Sequence, residues 1–385
     1  MEQKIKLLLL SSFCVFMLKG QTLHQFVPGE VWKDNNGKHI NAHGGGVLFN
    51  NGVYYWYGEH KVGGKIGNTA QVGVHVYSSK DLYNWKDEGI ALKVNESDST
   101  NDIAKGCTLE RPKVIYNAKN KQYVMWFHLE LKGKGYLAAR SAVAVSNSPI
   151  GPFTYLRSFR PNAGYWPLNN PNNHDTLKIL SRDFAGGQMV RDMNLFVDDD
   201  GIAYHIYSSE ENSTLQISKL TDDYLSNSGE YIRVFPKRYM EGAAICKHKG
   251  KYFLVASGCT SWNPNAARSA VSDKIFGEWK ELGNPCHGLD SALTYHSQST
   301  CILKVQGHSN QYIFMADRWT PANAIDGRYV WLPITFDSDK PSIKWSDSWK
   351  LKTDSVTSLN HVKESYTLSR KNLAHSEKKI LYNGF

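Results

Sequence analysis

Val47-Leu48-Phe49-Asn50-Asn51-Gly52-Val53-Tyr54-Tyr55-Trp56-Tyr57 reads as two β-rich runs joined by an Asn-Gly turn. Both turn residues tolerate positive φ, which a two-residue hairpin requires, so this dipeptide between apolar runs is a strong hairpin signal. The pattern recurs. Lys113-Val114-Ile115-Tyr116 turns at Lys119-Asn120 into Gln122-Tyr123-Val124-Met125-Trp126. Asn194-Leu195-Phe196-Val197 turns at Asp200-Gly201 into Ala203-Tyr204-His205-Ile206-Tyr207. Ala244-Ile245-Cys246 turns at Lys249-Gly250 into Tyr252-Phe253-Leu254-Val255, and Thr300-Cys301-Ile302-Leu303 turns near Ser309-Asn310 into Tyr312-Ile313-Phe314-Met315. The five tips are on average about 65 residues apart, room for four strands and their loops. Leu82-Tyr83-Asn84-Trp85-Lys86 and Phe276-Gly277-Glu278-Trp279-Lys280 form a second repeat. They are read as strand ends about three such units apart. With no long helical periodicity to compete, the expectation is an all-β chain folded as a five-bladed β-propeller.

The bulk properties narrow the function classes. Eleven Trp and 21 Tyr suit sheet packing, and they also suit stacking on sugar rings. The net charge of +9 is dispersed, without a run of five like charges or a nucleic-acid motif, so nucleic acid is not an expected partner. Its densest clusters are the Lys132–Lys134 loop and Lys371, Lys378 and Lys379. Lys4 and Lys6 precede an apolar run from Leu7 to Leu18, which reads as an export signal over residues 1–20. That run is short for a membrane span. Residues 21–385 are then the propeller domain of an exported protein, periplasmic or secreted. Five cysteines remain after the signal, without a C-x-x-C spacing, so buried thiols are expected before a disulfide framework or a metal site.

In a propeller the first strand of each blade runs beside the axis, and its leading residue looks into the central hollow. Counting back from the turns places His43, Glu110, Asp192, Glu241 and Gln298 at these positions. All five are polar and each opens an apolar run. Two carboxylic acids in one enclosed pocket are what glycoside hydrolysis needs, one of them kept protonated. Glu110 is positioned to raise the pKa of Glu241 by like charge.

Several stretches carry a family resemblance: Asn41-Ala42-His43-Gly44-Gly45-Gly46, Tyr55-Trp56-Tyr57-Gly58-Glu59, Glu110-Arg111-Pro112-Lys113, Arg191-Asp192-Met193-Asn194 and Ser208-Ser209-Glu210-Glu211-Asn212. Met240-Glu241-Gly242, Gly258-Cys259-Thr260-Ser261-Trp262-Asn263-Pro264 and Ser297-Gln298-Ser299-Thr300 complete the set. Together they resemble glycoside hydrolase family 43, inverting five-bladed propellers, and within it the exo-β-1,3-galactosidase branch. The resemblance implies Glu241 as general acid and Glu110 as the residue that tunes it. It implies Glu59, Tyr136, Asp192 and Thr260 as sugar ligands, with His43 and Asn212 added as further binding candidates. Most of the family places an Asp base on the first blade; here that place holds His43. In the galactosidase branch a glutamine matching Gln298 is assigned as base, although an amide is barely basic and could instead orient the water.

The expected partner is therefore an oligo- or polysaccharide, processed by a monomer without a required cofactor; Ca²⁺ on the axis is not indicated. Two alternatives stay open: a β-xylosidase or α-L-arabinofuranosidase of the same fold, and a non-catalytic glycan-binding propeller that has lost its base. Each residue also has a plain structural reading. Glu241 and Glu110 could be partners of arginines, Arg111 for the latter. Asp192 could cap a turn, His43 could be a core histidine, and Glu210 and Glu211 could fill a loop. Trp262, Trp319 and Trp331 could stack on sugar or only pack. Asn212 heads an Asn-Ser-Thr sequon, relevant only in a glycosylating host.

Overall fold

A computed structural model describes residues 22–169, 174–308 and 310–352. The proposed signal, Ser309 and the C-terminal lysines lie outside them. Five sheets, antiparallel apart from one two-residue edge strand in the last, surround one axis, and each hairpin read from the sequence supplies the two inner strands of one blade. Blade I holds β1 (His43–Asn50), β2 (Val53–His60), β3 (Gly73–Ser79) and β4 (Lys86–Lys93). Blade II holds β5 (Thr108–Asn117), β6 (Gln122–Glu130), β7 (Arg140–Ser146) and β8 (Thr154–Phe159). After the helix α1 (His174–Phe184), blade III holds β9 (Met193–Val197), β10 (Ala203–Ser209), β11 (Thr214–Leu220) and β12 (Asn227–Val234). Blade IV holds β13 (Met240–His248), β14 (Lys251–Gly258), β15 (Arg268–Ser272) and β16 (Lys280–Gly283). Blade V takes the short β17 (Cys286–His287) alongside β18 (Gln298–Lys304), β19 (Tyr312–Arg318), β20 (Arg328–Asp337) and β21 (Lys340–Lys344).

The second strand of every blade is buried on both faces, which explains its unbroken apolar run. Because successive side chains point to opposite faces, one strand feeds two cores. Trp56 on β2 packs with blade V, beside Met315 and Trp331, while Tyr57 packs with blade II, beside Met125 and Phe127. Trp126 on β6 faces blade III beside Tyr207, whereas Ile206 on β10 faces Leu254 of blade IV. Phe253 meets Phe314 between blades IV and V. Five apolar clusters thus fill the five gaps between blades.

Two details differ from the sequence reading. The Leu82–Lys86 and Phe276–Lys280 motifs do not end strands; they bridge the third and fourth strands of blades I and IV. Trp85 and Trp279 are buried there, with their indole N–H groups on the carbonyls of Leu82 and Ile275. Trp331 is a fully buried core residue with no face for a sugar. The remaining cysteines are all free; Cys107, Cys246 and Cys286 are buried and Cys259 is exposed. No helix among the described residues is long and apolar enough to cross a membrane.

Candidate active site

The inner strands do not run straight into the central hollow. β1, β5, β13 and β18 each carry a register shift just after their leading residues, at His43/Gly46, Glu110/Lys113, Glu241/Ala244 and Ser299/Cys301. Such bulges re-aim side chains at a strand end. In three of them the next residue is left-handed: Gly44 (φ 61), Arg111 (φ 57) and Gly242 (φ 59). Glycine accepts that conformation freely, so Arg111 alone is strained, by about 1–3 kcal/mol. What holds it is its side chain. The guanidinium grips Asp192 through two hydrogen bonds, 3.0 and 2.8 Å, and donates to Gln298 Oε1 at 2.5 Å and Ser299 O at 3.2 Å. The plain reading of Arg111 as a partner for Glu110 is therefore replaced by a pair with Asp192, across two blades.

One cavity of about 390 Å³ is lined by Glu59, Glu110, Arg111, Tyr136, Asp192, Asn212, Glu241 and Gln298, together with Trp262 and Trp319. It gathers seven of the nine residues singled out from the sequence. His43 does not reach it. That ring is fully buried, stacked on Tyr329 at 5.4 Å, and burial pushes its pKa well below the usual imidazole value. Thr260 also turns away: its hydroxyl donates to Asn263 O at 2.6 Å and accepts from Asn265 at 2.6 Å, shaping a turn. Its neighbours Cys259 and Ser261 line the wall instead.

The carboxylates around the cavity have opposite environments. Glu241 is pushed up to about 7, first by burial and then by the charge of Asp192; the Cys259 donor and Arg111 pull the other way, and Glu110 adds a smaller push. Asp192, rather than Glu110, is thus its main carboxylate neighbour in electrostatic terms. Glu110 goes down to about 2. Burial alone would raise it, but the hydrogen bond and charge of His128 outweigh that, helped by Lys61 and the Tyr136 hydroxyl. His128 sits between Glu110 Oε2 and Glu130 Oε1, 3.0 Å from each. Burial would lower its pKa, yet these two partners lift it to about 9. Tyr136 donates to Glu110 Oε1 at 2.8 Å. Glu59 is fixed by Lys61 at 2.6 Å and by the Arg111 N–H at 3.0 Å. A pair of carboxyls driven apart in this way, one holding its proton up to about pH 7 and one charged well below that, is the separation acid catalysis uses.

Several participants were not legible from hairpin counting. Arg111 lies inside a marked motif, and His128 and Lys61 just beyond marked strands, but none of them is a strand leader. Trp319 donates from its indole to Gln298 Oε1 at 3.1 Å and meets Trp262 edge-on at 6.0 Å. Beyond these two tryptophans lies a second hollow of about 340 Å³, sharing Trp262, Gln298 and Trp319 with the first. Glu210 is no loop filler: it is buried and paired to Arg233 at 2.6 and 2.7 Å. It opens a run of three left-handed residues, Glu210, Glu211 and Asn212. Among the described residues no cluster of three His, Cys, Asp or Glu is arranged to hold a metal.

The model of Glycosyl hydrolases family 43 matches residues 47–310. Among solved structures, the chain is 51% identical to a GH43 β-1,3-galactosidase solved with galactodeoxynojirimycin. The match covers 85% of this chain and 100% of that one, with a TM-score of 0.81. An exo-β-1,3-galactanase from Clostridium thermocellum is 39% identical, over 85% of this chain and 67% of that one, with a TM-score of 0.73. The exo-β-1,3-galactanase from Phanerochaete chrysosporium, solved with β-1,3-galactotriose, is 32% identical over 86% and 69% of the two chains, with a TM-score of 0.72. No curated protein matches. Propeller, carboxyl-lined axial cavity and family match agree: the chain belongs to glycosyl hydrolases family 43 and is a glycoside hydrolase.

Proposed function

We propose that the enzyme is an exo-acting, inverting β-1,3-galactosidase that removes galactose from the ends of β-1,3-galactan or arabinogalactan chains. The observation that carries this reading is the convergence of Glu241, Glu110, Asp192 and Gln298 on one axial cavity, where burial pushes Glu241 up to about 7 while His128 holds Glu110 low. The likeness to a β-1,3-galactosidase at 51% identity supports the sugar and linkage. Glu241 donates its proton to the glycosidic oxygen as the C–O bond breaks, and the bonding pair leaves with that oxygen. A water adds to the anomeric carbon from the opposite face and loses a proton to solvent, yielding galactose and a shortened chain, and Glu241 takes a proton back from solvent before the next turnover. Glu110 is the charged neighbour that orients substrate. Asp192, Glu59 and Tyr136 bind sugar hydroxyls, and the adjoining hollow takes the rest of the chain.

Gln298 works in this reading as an amide that orients the water. Its Oε1 already receives Arg111 and Trp319, while its Nε2 donates to Ser257 Oγ at 2.9 Å. Ser257 in turn donates to the Glu241 carbonyl at 3.2 Å, so the direction of the chain fixes which end of the amide is which. An imidic-acid form would carry its proton on the oxygen that faces two donors. That is unfavourable, which leaves the second Nε2 proton to hold the nucleophile.

Three further features belong to the proposal: export after loss of residues 1–20, action as a monomer, and independence of a dissociable metal. The axis already has a built-in cation, Lys113, whose Nζ donates to Gly44 O at 2.8 Å and Arg111 O at 3.3 Å. Treatment with EDTA should leave the rate unchanged; a loss restored by Ca²⁺ would refute this part. The central test is NMR of de-branched β-1,3-galactan digestion, where α-galactose should be the first anomer seen. Release of arabinose or xylose instead would move the assignment to the other sugars. Glu241→Gln should lower kcat by about 10²–10⁴-fold on galactobiose, the usual worth of a general acid.

A further inference from the structure

We infer that Cys259 and Asn212 form a positioning pair for the acid: both hold Oε1 of Glu241, so that Oε2 is the atom that carries and delivers the proton. The inference rests on the proposed role of Glu241. Asn212 Nδ2 lies 2.7 Å from Oε1 and the Cys259 sulfur 3.2 Å from the same oxygen. The two donors also meet each other, at 3.8 Å between Nδ2 and Sγ. A carboxyl oxygen that accepts two donors is a poor place for its own proton. The proton is thereby confined to the other oxygen, and the carboxyl plane is set.

Each donor reaches the acid through a separate piece of backbone. Cys259 directly follows β14, whose residue Ser257 is the register partner of Glu241. Asn212 ends the left-handed run Glu210-Glu211-Asn212, with φ values of 53, 53 and 65°. Left-handed residues in succession are uncommon outside glycine, and they persist where the surroundings over-determine them. Here Glu210 is the anchor, bound by Arg233, by Thr214 Oγ1 at 2.8 Å and by Gln216 Nε2 at 3.3 Å. The strained turn sets Glu211 on Arg182, at 2.7 Å, and the Asn212 amide on the acid. Cys259 is also the exposed thiol among the free cysteines described. Its hydrogen bond lowers the Glu241 pKa against the larger push of burial. The pair therefore trims the acid as well as aiming it.

The experiment measures kcat and KM against pH on β-1,3-galactobiose for wild type, Cys259→Ala, Cys259→Ser, Asn212→Gly and Glu241→Gln. Removing a donor to the carboxylate raises the acid's pKa. The alkaline limb should therefore move to higher pH in Cys259→Ala and Asn212→Gly, with kcat down about tenfold and KM within about twofold, a loss on the scale of one charged-group hydrogen bond. Cys259→Ser keeps a donor and should restore both limb and kcat. Asn212→Gly keeps the left-handed backbone, so its effect reports the amide and not the turn. An unmoved limb with wild-type kcat in Cys259→Ala and Asn212→Gly would overturn the pair, as would a serine variant no better than alanine. If Glu241→Gln retained wild-type activity and pH profile, the acid assignment itself would fall, whatever the other variants did.

Discussion

Arg111 shows how much one side chain can decide. Its left-handed backbone stands where blades I and IV use glycine, and its guanidinium ties Asp192 to Gln298 across the axis. Arg111→Gly should relieve the backbone while removing the cation. We expect kcat/KM to fall by at least about 10²-fold, with a stability loss of no more than about 3–5 kcal/mol from the half-buried carboxylate left behind. Denaturation and kinetics on the same sample check both numbers. The alkaline limb of wild-type kcat/KM should lie near pH 7, since Glu241 must be protonated and its pKa is about 7. His128 gives a second pH effect. Its folded pKa, about 9, lies above the ordinary 6.5, so its stabilisation is full below about 6.5 and fades as pH rises through about 9. The same contact, seen from Glu110, persists above about 4.5 and fades as pH falls toward 2. His128→Gln should flatten the alkaline slope of unfolding free energy, measured by urea titration from pH 6 to 10. At this scale Glu110, Asp192, Glu241 and Gln298 were legible in the sequence because a hairpin turn counts residues reliably. His43 was not: a like bulge follows Glu110 and Glu241, but the ring of His43 is buried against Tyr329 of blade V, a contact that counting from a turn does not foresee.

The elements that set these side chains are a bulged strand end and a strained turn. Gly45 sits so close to the neighbouring strand that an added Cβ would lie 1.8 Å from Tyr57 O. Gly45→Ala cannot be absorbed by a side-chain movement, because the obstacle is backbone. It should push β1 off β2 and yield a protein with a markedly lower Tm, or none that folds; normal expression and Tm would contradict the register described. The Glu210–Arg233 pair offers a milder perturbation. Breaking a buried pair by removing one partner costs about 3–5 kcal/mol, and Glu210→Gln should show that loss in urea together with reduced kcat through Asn212. The hairpins themselves were visible beforehand, since Asn-Gly and Asp-Gly between apolar runs have a local cause. The Glu210-Glu211-Asn212 turn was not. Its reason is a partner, Arg233, 23 residues along the chain, and no local spacing announces it.

Across the molecule, the five blades are held by apolar clusters between neighbours, and the described chain ends are tied on blade V. Phe26 and Trp349 exchange backbone hydrogen bonds of 2.9 and 3.1 Å and stack at 4.4 Å. Blade number was recoverable from turn spacing, but the short β17 and the pairing of distant ends depend on closure, which periodicity does not encode. The feature with the widest reach is the seal below the cavity. Lys113 caps carbonyls of blades I and II, and Asn194 caps Ala243 O and Thr300 O, both at 3.0 Å, on blades IV and V. These side chains stand between the axial cavity and a further hollow of about 270 Å³ that Lys113 and Asn194 also line. In the proposed reaction a polymer would then be gripped by its tip, and the freed monosaccharide would back out through the mouth by which it came before the shortened chain docks again.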